Sequence, residues 1–178
     1  FVIELIKIYF GEISVSKTIF GLSFVACVCA FSIPVQAQLP VERVLTHDVA
    51  GTMARVAVET CVAAGAEVSV HVVNIHGETI ASLRGDNTRP YTFENSYEKA
   101  YTAMAFRRPS AEYQDEYAEG NPTRVQQADF PNIVAIAGGL PFFVGDEILG
   151  GIGVSGGNNQ TNNDCGQAGI DAVADQLR

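Results

Sequence analysis

The segment GGIGVSGG, residues 150–157, has the residue types and spacing that most directly suggest chemistry. Gly151, Gly153 and Gly156 match the G-x-G-x-x-G pattern, in which glycines let the backbone approach the pyrophosphate of a dinucleotide. Such a site requires a strand, the glycines and a helix in direct succession within a βαβ unit. Here the glycines fall inside a predicted strand, and a polar loop of about ten residues precedes the next predicted helix. We therefore expect the glycines to permit close approach of another backbone, a helix or a flat ligand to one sheet face.

The three histidines, His47, His71 and His76, include no pair with the spacing of a zinc site, so no structural metal is predicted. We expect His47 to be solvated in the first turn of a helix. His71 lies on a predicted strand and could face a covering helix or an oligomer interface, as a buried histidine. His76 lies in a predicted hairpin turn, where it could reach a ligand or be an ordinary polar turn residue.

Two basic residues, Lys99 and Arg84, are the ones that we expect to line a cleft. Lys99 lies off the apolar stripe of its predicted helix and Arg84 ends a predicted strand, so together they could hold an anionic group such as a small carboxylate. The alternative is that both form surface ion pairs, with neighbours such as Glu98 and Asp86. Three further residues would shape the turn beside the cleft: Gly138, Gly139 and Pro141.

No catalytic nucleophile and base can be identified from residue types and spacing. Ser155 follows a strand but lacks the G-x-S-x-G elbow of serine hydrolases. Met53 and Met104 fall on apolar helix stripes, which indicates packing rather than a ligand role. These features favour a binding protein over an enzyme.

Hydrophobic periodicity predicts an α/β (α+β) domain with a five-stranded, mostly antiparallel sheet covered by helices. The first helix, capped by Thr46 and ended by Gly65, is followed by a hairpin that turns at residues 74–77. Phe93, Tyr97 and Tyr101 belong to the predicted apolar face of the second helix, together with Ala100 and Met104. The predicted helices cover residues 44–64, 93–107, 113–117 (with Ser110 as a possible cap) and 164–177, and the last three strands cover 133–137, 140–144 and 147–155.

Residues 17–37 have the pattern of a cleaved secretory signal peptide: one lysine, an apolar run and small residues before Gln38. A retained membrane anchor is the alternative. We expect residues 1–16 to precede the signal and residues 38–178 to form one domain, periplasmic or extracellular in location. Export would leave two cysteines, Cys61 and Cys165, as a single disulfide or as two buried thiols. The net charge of −9, without a basic patch, argues against nucleic-acid binding.

Three segments carry a resemblance to the GlcG/HbpS family, which is related to the C-terminal domain of PduO-type cobalamin adenosyltransferases. They are VSVHVVNIHGETIASLRGD at 68–86, ENSYEKAYTAMAF at 94–106 and GGLPFFVGDEILGGIGVSGG at 138–157. The resemblance covers essentially all of residues 38–178 and implies a profilin- or PAS-like domain that forms homo-oligomers. The chain departs from the family at Asn74, where an aspartate is common, and this removes a carboxylate from the first hairpin turn.

Some exported members of this family bind haem and act in haem uptake or beside membrane sensors. The resemblance therefore implies an exported protein that binds haem or another tetrapyrrole, with a sensor or transporter as a further partner. A haem iron needs an axial ligand in an apolar pocket, and His76 and His71 are the candidates. The alternatives are an enzyme or binding module for a small organic acid, held by Lys99 and Arg84, and a scaffold for a sensor.

Overall fold

A four-stranded antiparallel sheet lies at the centre of the computed structural model, which describes residues 41–178. The strands are β1 (Ser69–Asn74), β2 (Thr79–Arg84), β3 (Gly139–Val144) and β4 (Glu147–Ser155). Their order across the sheet is β2-β1-β4-β3, and every neighbouring pair is antiparallel. The predicted fold class, an antiparallel sheet covered by helices, is confirmed.

Five α-helices connect and cover these strands within residues 42–178, which form one compact unit. As predicted, the Thr46 side chain caps the first helix, and Gly65 follows its end with a φ of 77°. The helices are α1 (His47–Ala63), α2 (Tyr91–Phe106), α3 (Ser110–Ala118), α4 (Pro122–Gln127) and α5 (Asn159–Asp171), followed by a 3-10 turn (Ala174–Gln176).

The prediction of five strands is wrong by one, because residues 133–137 form no strand. The backbone amides of this segment donate hydrogen bonds to side chains, whereas in a strand they would donate to a neighbouring strand. The Val134 amide donates to Thr102 Oγ1 over 2.9 Å, and the Ala137 amide donates to Gln114 Oε1 over 2.8 Å. An apolar, β-branched run thus stays outside the sheet because α2 and α3 supply its hydrogen-bond partners.

The same segment explains why Ser110 is not the predicted helix cap. Its hydroxyl donates to the carbonyl oxygen of Ile136 and accepts from the amide of Gly139, so it joins α3 to the start of β3. α3 also extends beyond the predicted residues 113–117, and a short helix, α4, begins at Pro122 where a loop was expected. The Asn121 side chain caps α4, and proline is well suited to the first helical turn.

The last helix begins five residues earlier than predicted and ends six residues earlier. The Asn158 side chain accepts a hydrogen bond from the Thr161 amide and caps α5. The asparagine-rich stretch therefore belongs to the helix, because an asparagine at its start satisfies an amide that would otherwise lack a partner. Only residues 156–158 separate β4 from α5.

The helices lie on opposite faces of the sheet. α1 and α5 cover one face, where the main core contains Met53 and Cys61 from α1, Val72 from β1 and Ile152 from β4. α2 covers the other face and packs mainly on β4, β1 and β3. The strand alternation thus directs Val72 and Ile152 toward α1 and α5, and Gly151 and Gly153 toward α2.

No helix within residues 41–178 is long and apolar enough to cross a lipid bilayer. The predicted signal peptide and the residues before it lie outside the described part of the chain.

Candidate functional site

The glycines of β4 lie directly against the backbone of α2. A Cβ atom at Gly153 would overlap the carbonyl oxygen of Ser96 and lie 2.5 Å from the amide nitrogen of Ala100. One at Gly151 would overlap the carbonyl oxygen of Ala100. The close approach predicted from the glycine spacing is therefore made by a helix of the same chain.

This packing argues against a dinucleotide site at the G-x-G-x-x-G segment. The expected ten-residue loop is absent, so strand, glycines and helix do follow one another directly. However, β4 is antiparallel to both of its neighbours, so the segment is not part of a βαβ unit. The sheet face that Gly151 and Gly153 open is already covered by α2.

The glycines also change which face of α2 is buried. The predicted apolar face is only partly right, because the aromatic rings of Phe93, Tyr97 and Tyr101 are half-buried. Glycine strands allow contact closer than a large side chain permits, so the helix rests on small and polar residues. The buried residues of α2 are Thr92, Ser96, Lys99, Ala100, Thr102, Ala103 and Met104.

Lys99 is enclosed beneath α2, whereas the sequence suggested a cleft or the surface. The residue is 3% exposed, and its Nζ donates to the main-chain oxygen of Val154 over 3.1 Å. A Cβ at Gly138 would lie 3.1 Å from this Nζ, and one at Gly139 would overlap the Lys99 carbonyl oxygen, so both glycines make room for the lysine. Burial lowers the pKa of Lys99 to about 8.

The five predicted ligand-binding residues do not meet at one place. Arg84 is on β2 and Pro141 is on β3, and these strands are the opposite edges of the sheet. Arg84 donates to the Thr88 carbonyl oxygen and lines a cavity of about 510 Å³ with Val58 and others, whereas Lys99 is not part of that lining. The structure therefore groups Lys99, Gly138 and Gly139 and separates them from Arg84.

His71 lies between β1 and α2 and is 5% exposed. Its Nδ1 is 2.8 Å from Ser96 Oγ, and its ring meets the edge of Phe93 at a centroid distance of 4.4 Å. Ser96 donates its hydroxyl hydrogen to the Phe93 carbonyl, so the bond to His71 places a proton on Nδ1. Burial lowers the pKa of His71 to about 4, which keeps the ring neutral at pH 7.

His76 lies beside a surface groove, which we call the hairpin groove. Its cavity volume is about 330 Å³, and its walls come from the β1–β2 turn, the end of α2 and the start of β4. Arg107 lies at its rim, exposed and without an ion pair among the described residues. The lining residues are Ile75, His76, Tyr101, Met104, Ala105, Arg107 and Ile148.

Hydrogen bonds order the β1–β2 turn and join it to α2, and this positions His76. Asn74 Oδ1 accepts hydrogen bonds from the amides of His76 and Glu78, over 2.9 and 3.0 Å. Tyr97 donates its hydroxyl hydrogen to the Gly77 carbonyl oxygen over 3.1 Å. Asn74 therefore orders the turn through its side-chain oxygen.

The sequence singles out His76 as a candidate ligand but does not indicate the other walls of the groove. Tyr101 and Met104 were assigned to packing, and Met104 is indeed buried while also contributing to the groove. Arg107 follows the last turn of α2 and has a left-handed φ of 55°. This conformation is uncommon for arginine, and the sequence does not predict it. Ile148 comes from β4, more than forty residues away.

The other residues that the sequence analysis considered, His47, Met53, Cys61 and Cys165, lie away from the hairpin groove. His47 is exposed at the start of α1, 3.2 Å from Asp48, and Met53 is fully buried in the core. The Sγ atoms of Cys61 and Cys165 form a disulfide that joins α1 to α5. Within residues 41–178, no group of three or more histidine, cysteine, aspartate or glutamate residues could hold a metal ion.

Several solved structures have a fold similar to that of this chain. A crystal structure of HbpS is similar to the chain with a TM-score of 0.70 and 33% identity, over 76% of this chain and 94% of that one. A double mutant of HbpS from Streptomyces reticuli has the same TM-score and identity. The crystal structure of a PduOC:heme complex has a TM-score of 0.65 and 25% identity, over 73% of this chain and 95% of the other.

Sequence comparisons point to the same group of proteins as the solved structures. Protein GlcG of Escherichia coli strain K12 is 33% identical over 88 residues, which are 49% of this chain and 63% of GlcG. Residues 45–171 match the family described as haem degrading protein HbpS-like. This match includes all four strands and all five α-helices. The chain belongs to the HbpS-like family.

Proposed function

We propose that this protein binds haem or another tetrapyrrole in the hairpin groove and serves in haem uptake, storage or sensing outside the cytoplasm. Family membership and the heme complex of PduOC support the class of ligand. The place on this chain rests on one observation: the groove combines side chains that can ligate iron with an apolar wall and an unpaired cation.

Two other cavities of the described region are larger than the groove but lack such side chains. They have volumes of about 410 and 510 Å³, and neither is lined by histidine, methionine, cysteine or tyrosine. The hairpin groove has His76, Tyr101 and Met104, all of types that act as axial haem ligands in proteins. The chemistry of the donor set therefore selects the groove over the larger cavities.

The other groove residues fit the rest of a tetrapyrrole. Ile75 and Ile148 supply apolar surface for the macrocycle, and the exposed guanidinium of Arg107 can form paired hydrogen bonds with a propionate carboxylate. The volume of about 330 Å³ is at the lower end of the range of about 300–1,000 Å³ typical of small-molecule sites. We therefore expect the groove to hold one part of the macrocycle, with the rest exposed or covered by another subunit of a homo-oligomer.

Export through the predicted signal peptide belongs to the same proposal. The Cys61–Cys165 disulfide supports it, because disulfides persist in oxidising compartments such as the periplasm. N-terminal sequencing of the protein recovered outside the cytoplasm should begin at Gln38. A mature protein that keeps residues 17–37, or one found only in the cytoplasm, would contradict export. A membrane sensor or transporter is the partner that such a protein would serve.

Haem binding is tested by titrating haemin into the purified protein and recording the Soret band. His76→Ala should weaken binding and change the spectrum, because the exposed imidazole of the groove is removed. His47→Ala is the matched control, an exposed histidine of α1 that is not part of the groove lining. His71→Ala should also leave the ligand spectrum unchanged, because this ring is enclosed between β1 and α2. No Soret change in the wild-type protein would contradict the function, and equal effects of His76→Ala and His47→Ala would contradict the site.

A further inference from the structure

The ring of His76 is hydrogen-bonded in this structure, and its partner is a residue that does not line the groove. His76 Nε2 lies 2.8 Å from Glu42 Oε1, on the segment that precedes α1. A carboxylate only accepts hydrogen bonds, so Nε2 carries the proton in this pair. An Nε2 that donates to Glu42 has no lone pair with which to bind a metal.

The second ring nitrogen is poorly placed to replace it. Nδ1 is bonded to the ring carbon that carries the rest of the side chain, so a ligand that approaches it must come nearer to the main chain than one that approaches Nε2. That backbone is fixed by Asn74 and by the hydrogen bond from Tyr97 to Gly77. Nε2 is the outer nitrogen of the ring, and it is therefore the one that a large flat macrocycle reaches more easily.

The segment before α1 is tied to both sides of the hairpin groove. Glu42 contacts His76 in the β1–β2 turn, and the next residue, Arg43, forms an ion pair with Glu147 at the start of β4, with Nε 3.2 Å from Oε2. Glu147 directly precedes Ile148 of the groove lining. Residues 42 and 43 therefore hold the segment beside the groove through two separate contacts.

We propose that Glu42 acts as a latch on the groove: its carboxylate occupies His76 Nε2 and must release it before the imidazole can ligate a haem iron. The inference rests on the proposed haem binding at the hairpin groove. The latch makes haem affinity depend on a residue that belongs to neither the turn nor α2. It also makes rearrangement of the segment before α1 a part of haem binding.

The latch is weak enough to open. Its two side chains are 57% and 50% exposed, and a side-chain contact with this exposure contributes little to stability. Removing the competitor should therefore raise haem affinity by about two- to fivefold, the range that corresponds to such a pair.

The test compares Glu42→Ala with the wild-type protein, using haemin and metal-free protoporphyrin IX as probes. Glu42→Ala should tighten haemin binding and leave protoporphyrin binding unchanged, because only the iron requires the imidazole. Glu59→Ala is the control for net charge, since Glu59 is an exposed ion-paired carboxylate on α1. In a His76→Ala background, Glu42→Ala should have no effect on haemin binding.

A second readout needs no haem. Long-range proton–nitrogen NMR spectra of the ligand-free wild-type protein should show His76 protonated on Nε2, and Glu42→Ala should give a mixture of tautomers. If His76→Ala weakens haemin binding but Glu42→Ala leaves it equal or weaker, the latch is wrong while the haem site stands. If His76→Ala does not affect haemin binding, both the latch and the proposed site are wrong.

Discussion

The side-chain amine of Lys99 donates a hydrogen bond to the main-chain oxygen of Val154, and it does so in the interior between α2 and the sheet. No carboxylate lies within ion-pair distance of it among residues 41–178. A buried ammonium with a carbonyl partner but without a counter-ion opposes folding, and deprotonation relieves that opposition.

Stability should therefore rise with pH in the alkaline range. Burial lowers the pKa of Lys99 to about 8 from the ordinary 10.5, so between these values the unfolded chain binds a proton that the folded protein does not. The free energy of unfolding should increase by up to about 3 kcal/mol over this range. Denaturant unfolding at pH 7.5, 9 and 10 measures it. Lys99→Met removes the titrating group, and a parallel profile for this variant would contradict the assignment.

A methyl group at Gly153 should destabilise the protein strongly. The new Cβ would overlap the Ser96 carbonyl oxygen, and neither backbone can move without separating α2 from β4. We expect Gly153→Ala to lower the free energy of unfolding by about 3 kcal/mol or more.

Gly51→Ala is the matched control for that substitution. Gly51 lies within α1, and a Cβ there has no heavy atom within 4 Å outside its own helix. Alanine is the better helix former, so Gly51→Ala should stabilise the protein by about 0.5–1 kcal/mol. Chemical unfolding of both variants gives the comparison, and similar effects of the two would show that α2 does not rest on β4 as described.

His71 should stay neutral well below the ordinary range of histidine. Burial lowers its pKa to about 4 from 6.5, so on acidification the unfolded chain takes up a proton before the folded protein does. Stability should consequently fall between pH 6.5 and 4, by on the order of 3 kcal/mol in the absence of other titrating groups.

Proton–nitrogen NMR spectra of the folded protein at pH 5 check the same assignment directly. They should show the His71 ring protonated on Nδ1 alone, the nitrogen that faces Ser96. A ring protonated on both nitrogens at this pH would show that burial does not lower the pKa of His71 as described.

Removing the disulfide should lower the free energy of unfolding by about 2–5 kcal/mol, because the bond closes a long loop in the unfolded chain. The Cys61→Ser, Cys165→Ser double variant tests this, since it leaves no single unpaired thiol. Alkylation of the unreduced, denatured protein followed by mass spectrometry is the independent check. Two reactive thiols at these positions would show that the bond is absent.

The parts of the fold that the sequence predicts well depend on short-range signals. The bounds of α1 follow from Thr46 at its start and Gly65 after its end, each acting within one helical turn. The hairpin follows from alternating valines and the turn at residues 74–77. The spacing of Gly151 and Gly153 even indicates a close approach from outside the strand.

The parts that the sequence does not predict depend on distant partners. Lys99 is buried because glycines some forty to fifty residues later admit α2 close to the sheet. Residues 133–137 have the composition of a strand, yet Thr102 and Gln114 take the hydrogen bonds that a strand would make. The hairpin groove was likewise only partly visible, because Ile148 and Arg107 meet His76 only after the sheet has formed.

The position of the disulfide also affects how the folded protein responds to proteolysis. Cys61 and Cys165 are 104 residues apart, and all four strands and α2, α3 and α4 lie between them. A protease that cuts one loop in this span produces two fragments that remain covalently joined. Such a nicked molecule would run as one species without reductant and as two with it, and its sheet could stay assembled. A single cut between these two cysteines would then not release any part of the domain.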